Sequence, residues 1–305
     1  ISGPGAKDFV QYLTTNDVNA LALNQVQYST MCYPDGGIVD DLTVYRLAED
    51  RFLFCVNASN ADKDYEWVKS HARGEVEMKN TSSQTAQLAL QGPRAQDTLK
   101  PLVSIDLGSL QYYWSFRGEV DGVPALISRT GYTGEDGFEL YLEWEAAPRV
   151  WKKLMEVGRA FGLKACGLGA RDTLRMEVKY ALYGNDITAD TSPLEAGLGW
   201  VVKLKKGDFI GRDALVEQKA QGIKRKLVGL ELLDRGIPRS GNEIYAGEQR
   251  VGSVTSGTMS PTLGKPIGIG YVAIAKSEVG SPLEVDIRGK RRRAVVVKTP
   301  FYRRT

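Results

Sequence analysis

The hydrophobic and polar positions of the first 85 residues alternate with a period of two in short runs and then change to helical spacing. Phe9, Val10 and Leu13 share one helical face and predict a short first helix. Between the first two strands, the Pro-Asp-Gly-Gly sequence of residues 34–37 has the chemistry of a hairpin turn. The predicted strands are 28–33, 37–47 and 51–56, and the predicted amphipathic helix is 61–72.

A similar succession of strands and covering helices is predicted for residues 86–223. The predicted strands are 87–90, 114–119, 123–129 and 139–142, and the predicted helices are 94–103, 146–161, 168–180 and 209–222. Two successive β-rich units that are covered by helices predict an α+β fold.

Beyond residue 224 the pattern changes to short strand-like runs that are separated by Gly, Pro and Ser. These runs are 228–232, 243–245, 250–256, 268–272, 283–287 and 293–298. Short strands without intervening helices predict an all-β barrel or sandwich. The predicted domains are therefore 1–85, 86–223 and 224–305, that is, two α/β units followed by an all-β domain.

Composition narrows the class of protein only moderately. The 305 residues are 42% hydrophobic and 25% charged, which is ordinary for a soluble protein with a sizeable core. With 40 Lys and Arg against 37 Asp and Glu, the net charge of +3 argues against general nucleic-acid binding. The sequence contains no apolar run of about 18 residues, which is the length that a membrane-spanning helix needs, so no membrane span is predicted. The three cysteines lie too far apart for a CxxC metal clip, so no metal is expected.

Asp40 and Asp41 are unusual because two adjacent carboxylates occur within a predicted strand. Alternation places them on opposite faces, and Asp41 then shares its face with Thr43 and Tyr45. One interpretation is that a single carboxylate enters a cavity and carries chemistry. The alternative is a charge pair on an edge strand.

The glycine-rich stretch 129–139 is a second candidate for binding chemistry. Its glycines indicate tight turns, and Tyr132 and Glu139 are expected to line a pocket for a flat, amide-like heterocycle. A carboxylate such as Glu139 can accept two parallel N–H bonds from such a ring. The alternative is a hairpin with charged turn residues.

Arg171 and Arg175 lie four residues apart in a predicted helix and therefore share a face. They are either partners for an acidic group or part of a solvated, ion-paired face. Because His71 is the only histidine, acid–base chemistry falls to the carboxylates.

Seven motifs, in this order, resemble the folate-dependent aminomethyltransferase family of glycine cleavage T-proteins. They are 37–42 (Gly-Ile-Val-Asp-Asp-Leu), 90–93 (Leu-Gln-Gly-Pro), 131–139, 169–172 (Gly-Ala-Arg-Asp), 183–187 (Tyr-Gly-Asn-Asp-Ile), 206–211 (Lys-Gly-Asp-Phe-Ile-Gly) and 254–257 (Val-Thr-Ser-Gly). The resemblance extends through nearly the whole chain. It implies a cloverleaf of three domains around a central hole that holds tetrahydrofolate.

The resemblance also implies a role for individual residues. Asp41 is expected to be the catalytic carboxylate, Glu139 the carboxylate that binds the pterin, and Arg171 a second folate contact. Further folate-binding residues are expected at Asn57, Tyr132, Tyr45 and Trp200. The implied reaction moves the methylene of an aminomethyl-lipoyl arm on the H-protein to tetrahydrofolate and releases ammonia. The implied location is the cytoplasm, or the mitochondrial matrix if the source is eukaryotic.

Two other functions are known within the fold family, and the motifs bear on both. A non-enzymatic folate-binding relative in iron–sulfur assembly is expected to carry a Lys-Gly-Cys-Tyr-like motif, where this chain has Lys206-Gly207-Asp208-Phe209. Another folate-dependent demethylase of the same fold stays open, because it shares the folate hole. The resemblance further implies an Asp-Val-Ser-His-Met-Gly-like strand before Ile1, so an N-terminally truncated member is expected.

Overall fold

A computed structural model describes residues 1–304. The chain forms two compact units whose segments are interleaved in sequence. Unit 1 consists of Ile1–Leu13, Asp17–Tyr28 and Leu42–Gly167, and unit 2 consists of Thr14–Asn16, Ser29–Asp41 and the chain from Leu168 onward. The two units do not coincide with the three predicted domains, whose boundaries stay predictions.

A three-stranded sheet is formed near the start of the chain. Its elements are helix α1 (Ala6–Leu13), strands β1 (Val26–Cys32), β2 (Ile38–Ala48) and β3 (Arg51–Cys55), and helix α2 (Ala61–Ser70). The strand order is β1-β2-β3, so β2 is central, and its pairing with β3 begins at Thr43. The interpretation of Asp40 and Asp41 as an exposed edge-strand charge pair is wrong, because Asp40 is completely buried.

Unit 1 contains a four-stranded antiparallel sheet with the order β4-β7-β6-β5. Its elements are β4 (Thr85–Gln91), α3 (Ala95–Leu99), β5 (Ser115–Val120), β6 (Val123–Ser128), β7 (Gly137–Glu143) and α4 (Ala147–Gly158). The helix predicted for 94–103 ends its α-helical part at Leu99, and Lys100–Leu102 form a 3-10 turn. Pro101 explains this end, because proline has no amide hydrogen to continue the helix.

The two faces of this sheet differ because side chains alternate along each strand. One face packs its apolar residues, among them Ile127, Phe138 and Leu140, into a core with Leu99 and Leu154 of α3 and α4. The other face carries Leu126 and Tyr141, which pack against Val26 and Tyr45. Glu139 lies on this second face, since it is two residues before Tyr141 on β7.

Unit 2 combines helices α5 (Leu168–Glu177) and α6 (Arg212–Gln221) with a closed barrel. The helix predicted for 168–180 ends earlier, and Lys179 beyond it has a positive φ of 57°. The barrel strands are β8 (Arg225–Leu232), β9 (Glu243–Ala246), β10 (Gln249–Ser260), β11 (Lys265–Ala273), β12 (Pro282–Ile287) and β13 (Lys290–Val297).

The barrel closes in the order β10-β11-β8-β13-β12-β9. Its interior is filled by apolar side chains, including Leu230, Ile244, Val285 and Val296, all at most 2% exposed. The predicted α+β fold class and the all-β C-terminal barrel are both confirmed. Among residues 1–304, the helices are all too short or too polar to cross a bilayer.

Candidate functional site

The start of β2, which leads to Asp41, is anchored by the segment around residues 183–191 of unit 2. The Tyr183 hydroxyl donates to the carbonyl of Ile38 at 3.1 Å, and the Ile38 amide donates to the Thr191 carbonyl at 3.0 Å. Gly37 lies so close that an added Cβ would be 1.9 Å from the Ala189 carbonyl oxygen. Only glycine fits there, which explains the glycine that begins the Gly-Ile-Val-Asp-Asp sequence.

The two adjacent carboxylates occupy different environments, as the alternation predicted. Asp40 is 0% exposed, whereas Asp41 is half-buried and lies at the end of the unit 2 segment of β2. Of the two, Asp41 is therefore the carboxylate with solvent access. This difference agrees with the interpretation that one carboxylate of the pair is available for chemistry.

The loop between β6 and β7, residues 129–136, is held at its base by Arg129. The guanidinium forms a fork with Asp136, with Nε–Oδ1 at 2.9 Å and Nη2–Oδ2 at 2.6 Å. This pairing raises the pKa of Arg129 above its ordinary value. The remaining donors bind the carbonyls of Leu107 and Leu110 and the side chain of Gln96. Arg129 therefore closes the loop and ties it to the preceding chain.

Gln91 occupies the inside of the same loop. Its Nε2 donates to the Thr130 carbonyl at 3.0 Å and to the Phe138 carbonyl at 3.3 Å, and its Oε1 accepts from the Thr133 hydroxyl at 3.1 Å. A Cβ added to Gly131 would lie 1.8 Å from Gln91 Oε1. The Leu-Gln-Gly-Pro and glycine-rich motifs thus belong to one structural arrangement.

Glu139 is 9% exposed and accepts hydrogen bonds on both carboxylate oxygens. Gln87 Nε2 donates to Oε1 at 2.7 Å, and the Thr130 hydroxyl donates to Oε2 at 2.5 Å. Gln87 Nε2 also lies 3.2 Å from the Tyr141 hydroxyl. The Tyr45 hydroxyl lies 2.8 Å from that of Tyr141 and 3.5 Å from the Thr130 oxygen. The structure therefore brings Tyr45 and Glu139 into one polar network.

The environment of this network suppresses ionisation of its phenols. Burial, followed by the nearby charge of Glu139, raises the pKa of Tyr45 to about 12. Burial is also the main reason why the pKa of Tyr141 lies well above its ordinary value. Both hydroxyls therefore remain protonated at neutral pH and are available as hydrogen-bond donors.

Tyr132 and Asn57 are the other expected pocket residues in unit 1. Tyr132 is half-buried in the 129–136 loop. Asn57 is also half-buried and follows β3, where it precedes a 3-10 turn without capping it through its side chain.

Arg171 and Arg175, which share a predicted helix face, differ sharply in the structure. Arg171 is exposed on α5, whereas Arg175 is 1% exposed and forms a buried ion pair with Asp186. Arg175 also binds Asp172 Oδ1 at 2.7 Å and the Ser256 hydroxyl of β10 at 2.8 Å. Arg175 therefore joins α5 to the barrel, and Arg171 is the arginine of the pair that remains accessible.

Trp200 is 61% exposed in a 3-10 turn of unit 2. In the nearby Lys-Gly-Asp-Phe segment, Lys206 Nζ donates to the carbonyls of Thr14 and Asn16, and Phe209 is buried. Asp208 is exposed and lies at the position where the iron–sulfur relative is expected to carry cysteine. Residues 1–304 contain no cluster of three or more His, Cys, Asp or Glu arranged to hold a metal.

Sequence reasoning missed the roles of Gln87, Gln91, Thr130 and Arg129. Gln91 and Arg129 lie within or beside quoted motifs, but each binds two backbone carbonyls, and no residue pattern reveals such targets. For Gln87 the sequence predicts only that it lies on a strand. Its position opposite Tyr141 and diagonal to Glu139 follows from the strand register, which the sequence does not give.

Comparisons with known proteins cover the whole chain. The family model described as the GCVT N-terminal domain matches residues 1–206, and that of the glycine cleavage T-protein C-terminal barrel domain matches residues 225–303. The aminomethyltransferase of Bacillus subtilis (strain 168) is 51% identical over 306 residues, which are 100% of this chain and 84% of that protein. The aminomethyltransferase of Bacillus cereus (strain AH820) is 50% identical over 308 residues, with the same coverage.

A solved structure is also similar. The crystal structure of glycine cleavage system aminomethyltransferase T from Bartonella henselae matches with a TM-score of 0.90 and 35% sequence identity. The match covers 99% of this chain and 82% of that chain.

Proposed function

Because the chain belongs to the glycine cleavage T-protein family and is an aminomethyltransferase, we propose that it transfers the methylene of an H-protein-bound aminomethyl-dihydrolipoyl arm to tetrahydrofolate. The products are 5,10-methylenetetrahydrofolate, ammonia and dihydrolipoyl H-protein. The observation that carries this proposal is the similarity of the entire chain to aminomethyltransferases. The order of the seven motifs supports the same assignment.

The chemistry of Glu139 fits the recognition of a pterin ring. The Glu139 carboxylate is nearly buried, and a hydrogen-bond donor on each of its oxygens defines its plane. A carboxylate in a defined plane can accept two parallel N–H bonds from one ligand. The amino-pyrimidine edge of tetrahydrofolate presents such N–H groups. Tyr132 and Asn57 offer aromatic and amide contacts in the same unit.

Asp41 is the proposed catalytic carboxylate. Its half-buried position on a firmly anchored strand suits a group that must meet a substrate without moving. A carboxylate at the reacting amine can orient it, take its proton or stabilise positive charge during methylene transfer. Exposed Arg171 suits a contact with the carboxylates of the folate tail.

The proposal is tested by mixing the protein with aminomethyl-loaded, lipoylated H-protein and tetrahydrofolate. We expect ammonia and 5,10-methylenetetrahydrofolate to form in equal amounts, and the rate to depend on both substrates. Matched reactions without folate, and with H-protein that lacks its lipoyl arm, serve as controls. Transfer of an intact methyl group to tetrahydrofolate from a small methylated amine or sulfur compound, with no transfer from H-protein, would instead assign another demethylase of this fold.

A further inference from the structure

The network around Glu139 has a direction that follows from the chemistry of its members. The amide group of Gln87 at Nε2 can only donate, so the Tyr141 oxygen accepts from it, and the Tyr141 and Tyr45 hydroxyls share a hydrogen bond at 2.8 Å. The Tyr45 hydroxyl also lies 3.5 Å from the Thr130 oxygen. Thr130 has a single hydroxyl hydrogen, and its shortest contact is Glu139 Oε2 at 2.5 Å.

The five side chains therefore form a closed ring in which both branches end on one acceptor. Gln87 donates to Glu139 directly and is also connected to it through the contacts of Tyr141, Tyr45 and Thr130. An ionised carboxylate is the natural end of such a ring, because it accepts and cannot donate.

We propose that Gln87 and Thr130 are positioning residues for the pterin, which act by fixing the plane of the Glu139 carboxylate. This inference rests on the proposed function, because it takes Glu139 as the pterin-binding group. The terminal torsion of a glutamate is broad when nothing holds it. A hydrogen-bond donor on each oxygen restricts this torsion before the ligand binds. Ordering the carboxylate then costs less entropy on binding.

The register of the sheet explains how these two residues reach Glu139. Gln87 on β4 lies opposite Tyr141 on β7, and Ala89 lies opposite Glu139, so Gln87 approaches the carboxylate diagonally across the same face. Thr130 follows β6, whose residue Ser128 is paired with Glu139. The Thr130 oxygen lies 2.9 Å from the Ser128 oxygen, which steadies the hydroxyl.

A purely structural role for these hydrogen bonds makes a different prediction. In that case, loss of the Thr130 hydroxyl lowers stability and affects every ligand equally. The positioning role predicts that the variants lose affinity mainly for a ligand that carries both N–H groups of the pterin edge. Gln87 is a favourable site for this test, because it is exposed and its replacement leaves the core intact.

The experiment measures the Kd of the full chain for tetrahydrofolate and for a 2-desamino-2-methyl analogue, which lacks one of the two N–H groups. The variants are Thr130→Val, Thr130→Ser and Gln87→Leu. Thr98→Val is the matched control, since Thr98 is also buried but its hydroxyl bonds the carbonyl of Arg94. Thermal melting is recorded for each variant.

We expect Thr130→Val to weaken tetrahydrofolate binding about 10- to 100-fold, as for the loss of a hydrogen bond to a charged group. For exposed Gln87→Leu we expect a loss of about 3- to 10-fold. Thr130→Ser should restore binding, and Thr98→Val should bind as the unmodified protein does. With the analogue, the losses in Thr130→Val and Gln87→Leu should shrink to about twofold or less.

Equal losses for both ligands, or unchanged binding in both variants, would overturn the inference. The proposed function is tested separately in the same series through Glu139→Gln. If the unmodified protein does not bind tetrahydrofolate, or if Glu139→Gln binds it normally, the assignment of Glu139 fails first. If Glu139→Gln loses binding while Thr130→Val and Gln87→Leu keep it, only the positioning role fails.

Discussion

At the scale of single residues, Asp41 carries the sharpest functional prediction. Replacing Asp41 with alanine should leave tetrahydrofolate binding measurable and reduce turnover about 100-fold or more, because a positioned carboxylate typically contributes that much to proton transfer and charge stabilisation. Ammonia release under saturating H-protein and folate measures the effect. Undiminished turnover in Asp41→Ala would exclude this carboxylate from the chemistry.

Arg175 and Arg171 form a matched pair for a stability prediction. Arg175→Met removes one partner of the buried pair with Asp186 and should lower the free energy of unfolding by about 3–5 kcal/mol, because Asp186 is left as an uncompensated charge. Arg171→Met, four residues earlier and exposed, should change stability by about 0.5 kcal/mol or less.

Denaturant unfolding of both variants checks this pair, and folate binding supplies the second measurement. If the two substitutions destabilise equally, Arg175 does not join α5 to the barrel as described. Folate binding should show the opposite order, with the larger loss in Arg171→Met, since that residue is the proposed ligand contact.

At the scale of elements, the start of β2 depends on the absence of a side chain at residue 37. Gly37→Ala should cost about 1–3 kcal/mol or more of stability, because the new Cβ would meet the Ala189 carbonyl at 1.9 Å. Gly169→Ala in α5 is the control. Its Cβ would meet nothing within 4 Å, so a gain of about 0.5–1 kcal/mol is expected.

Chemical unfolding curves of the two glycine variants decide the matter. A tolerated alanine at position 37 would mean that the 183–191 segment can move away from β2. Reduced turnover should accompany the loss of stability in Gly37→Ala, because the strand that carries Asp41 would shift.

The strands were predictable from sequence where one face is buried and the other is not. Strand β2, predicted for 37–47, spans Ile38–Ala48, and each of the six strand runs predicted beyond residue 224 overlaps a barrel strand. Helix ends were less accurate, since Pro101 and the positive φ of Lys179 act within the last turns. Alternation and punctuation by Gly and Pro are local signals, which a single sequence contains.

The site was predictable only in part, for a different physical reason. Arg171 and Arg175 have the same side chain and the same helix face, and only a tertiary partner, Asp186, decides which one is buried. The contacts of Gln91 with two carbonyls, and of Gln87 with Glu139, depend on strand register and loop path. Such long-range contacts leave no periodic pattern.

At the scale of the whole molecule, the buried tyrosines link stability to alkaline pH. An ordinary tyrosine ionises near pH 10, whereas burial raises the pKa of Tyr45 to about 12 and shifts Tyr141 and Tyr271 upward as well. The unfolded chain therefore loses these protons first. Their contribution to stability is complete below about pH 10 and is lost as the pH rises through about 12.

Absorbance at 295 nm against pH, recorded together with circular dichroism, measures this link. Among the 14 tyrosines, we expect the buried ones to ionise in a late phase that coincides with unfolding. Tyr45→Phe should reduce the amplitude of the late phase. A single transition near pH 10 with unchanged circular dichroism would contradict the burial of these hydroxyls.

The interleaving of the two units has a consequence for the nascent chain. Ser29–Asp41 belongs to unit 2, yet about 130 residues must still be synthesised after Asp41 before Leu168 emerges. At roughly 5–20 residues per second, the apolar side chains of Ile38 and Val39 wait on the order of ten seconds for their partners. During that interval we expect these two side chains to be exposed on the nascent chain, where a chaperone that binds apolar segments would protect them from aggregation.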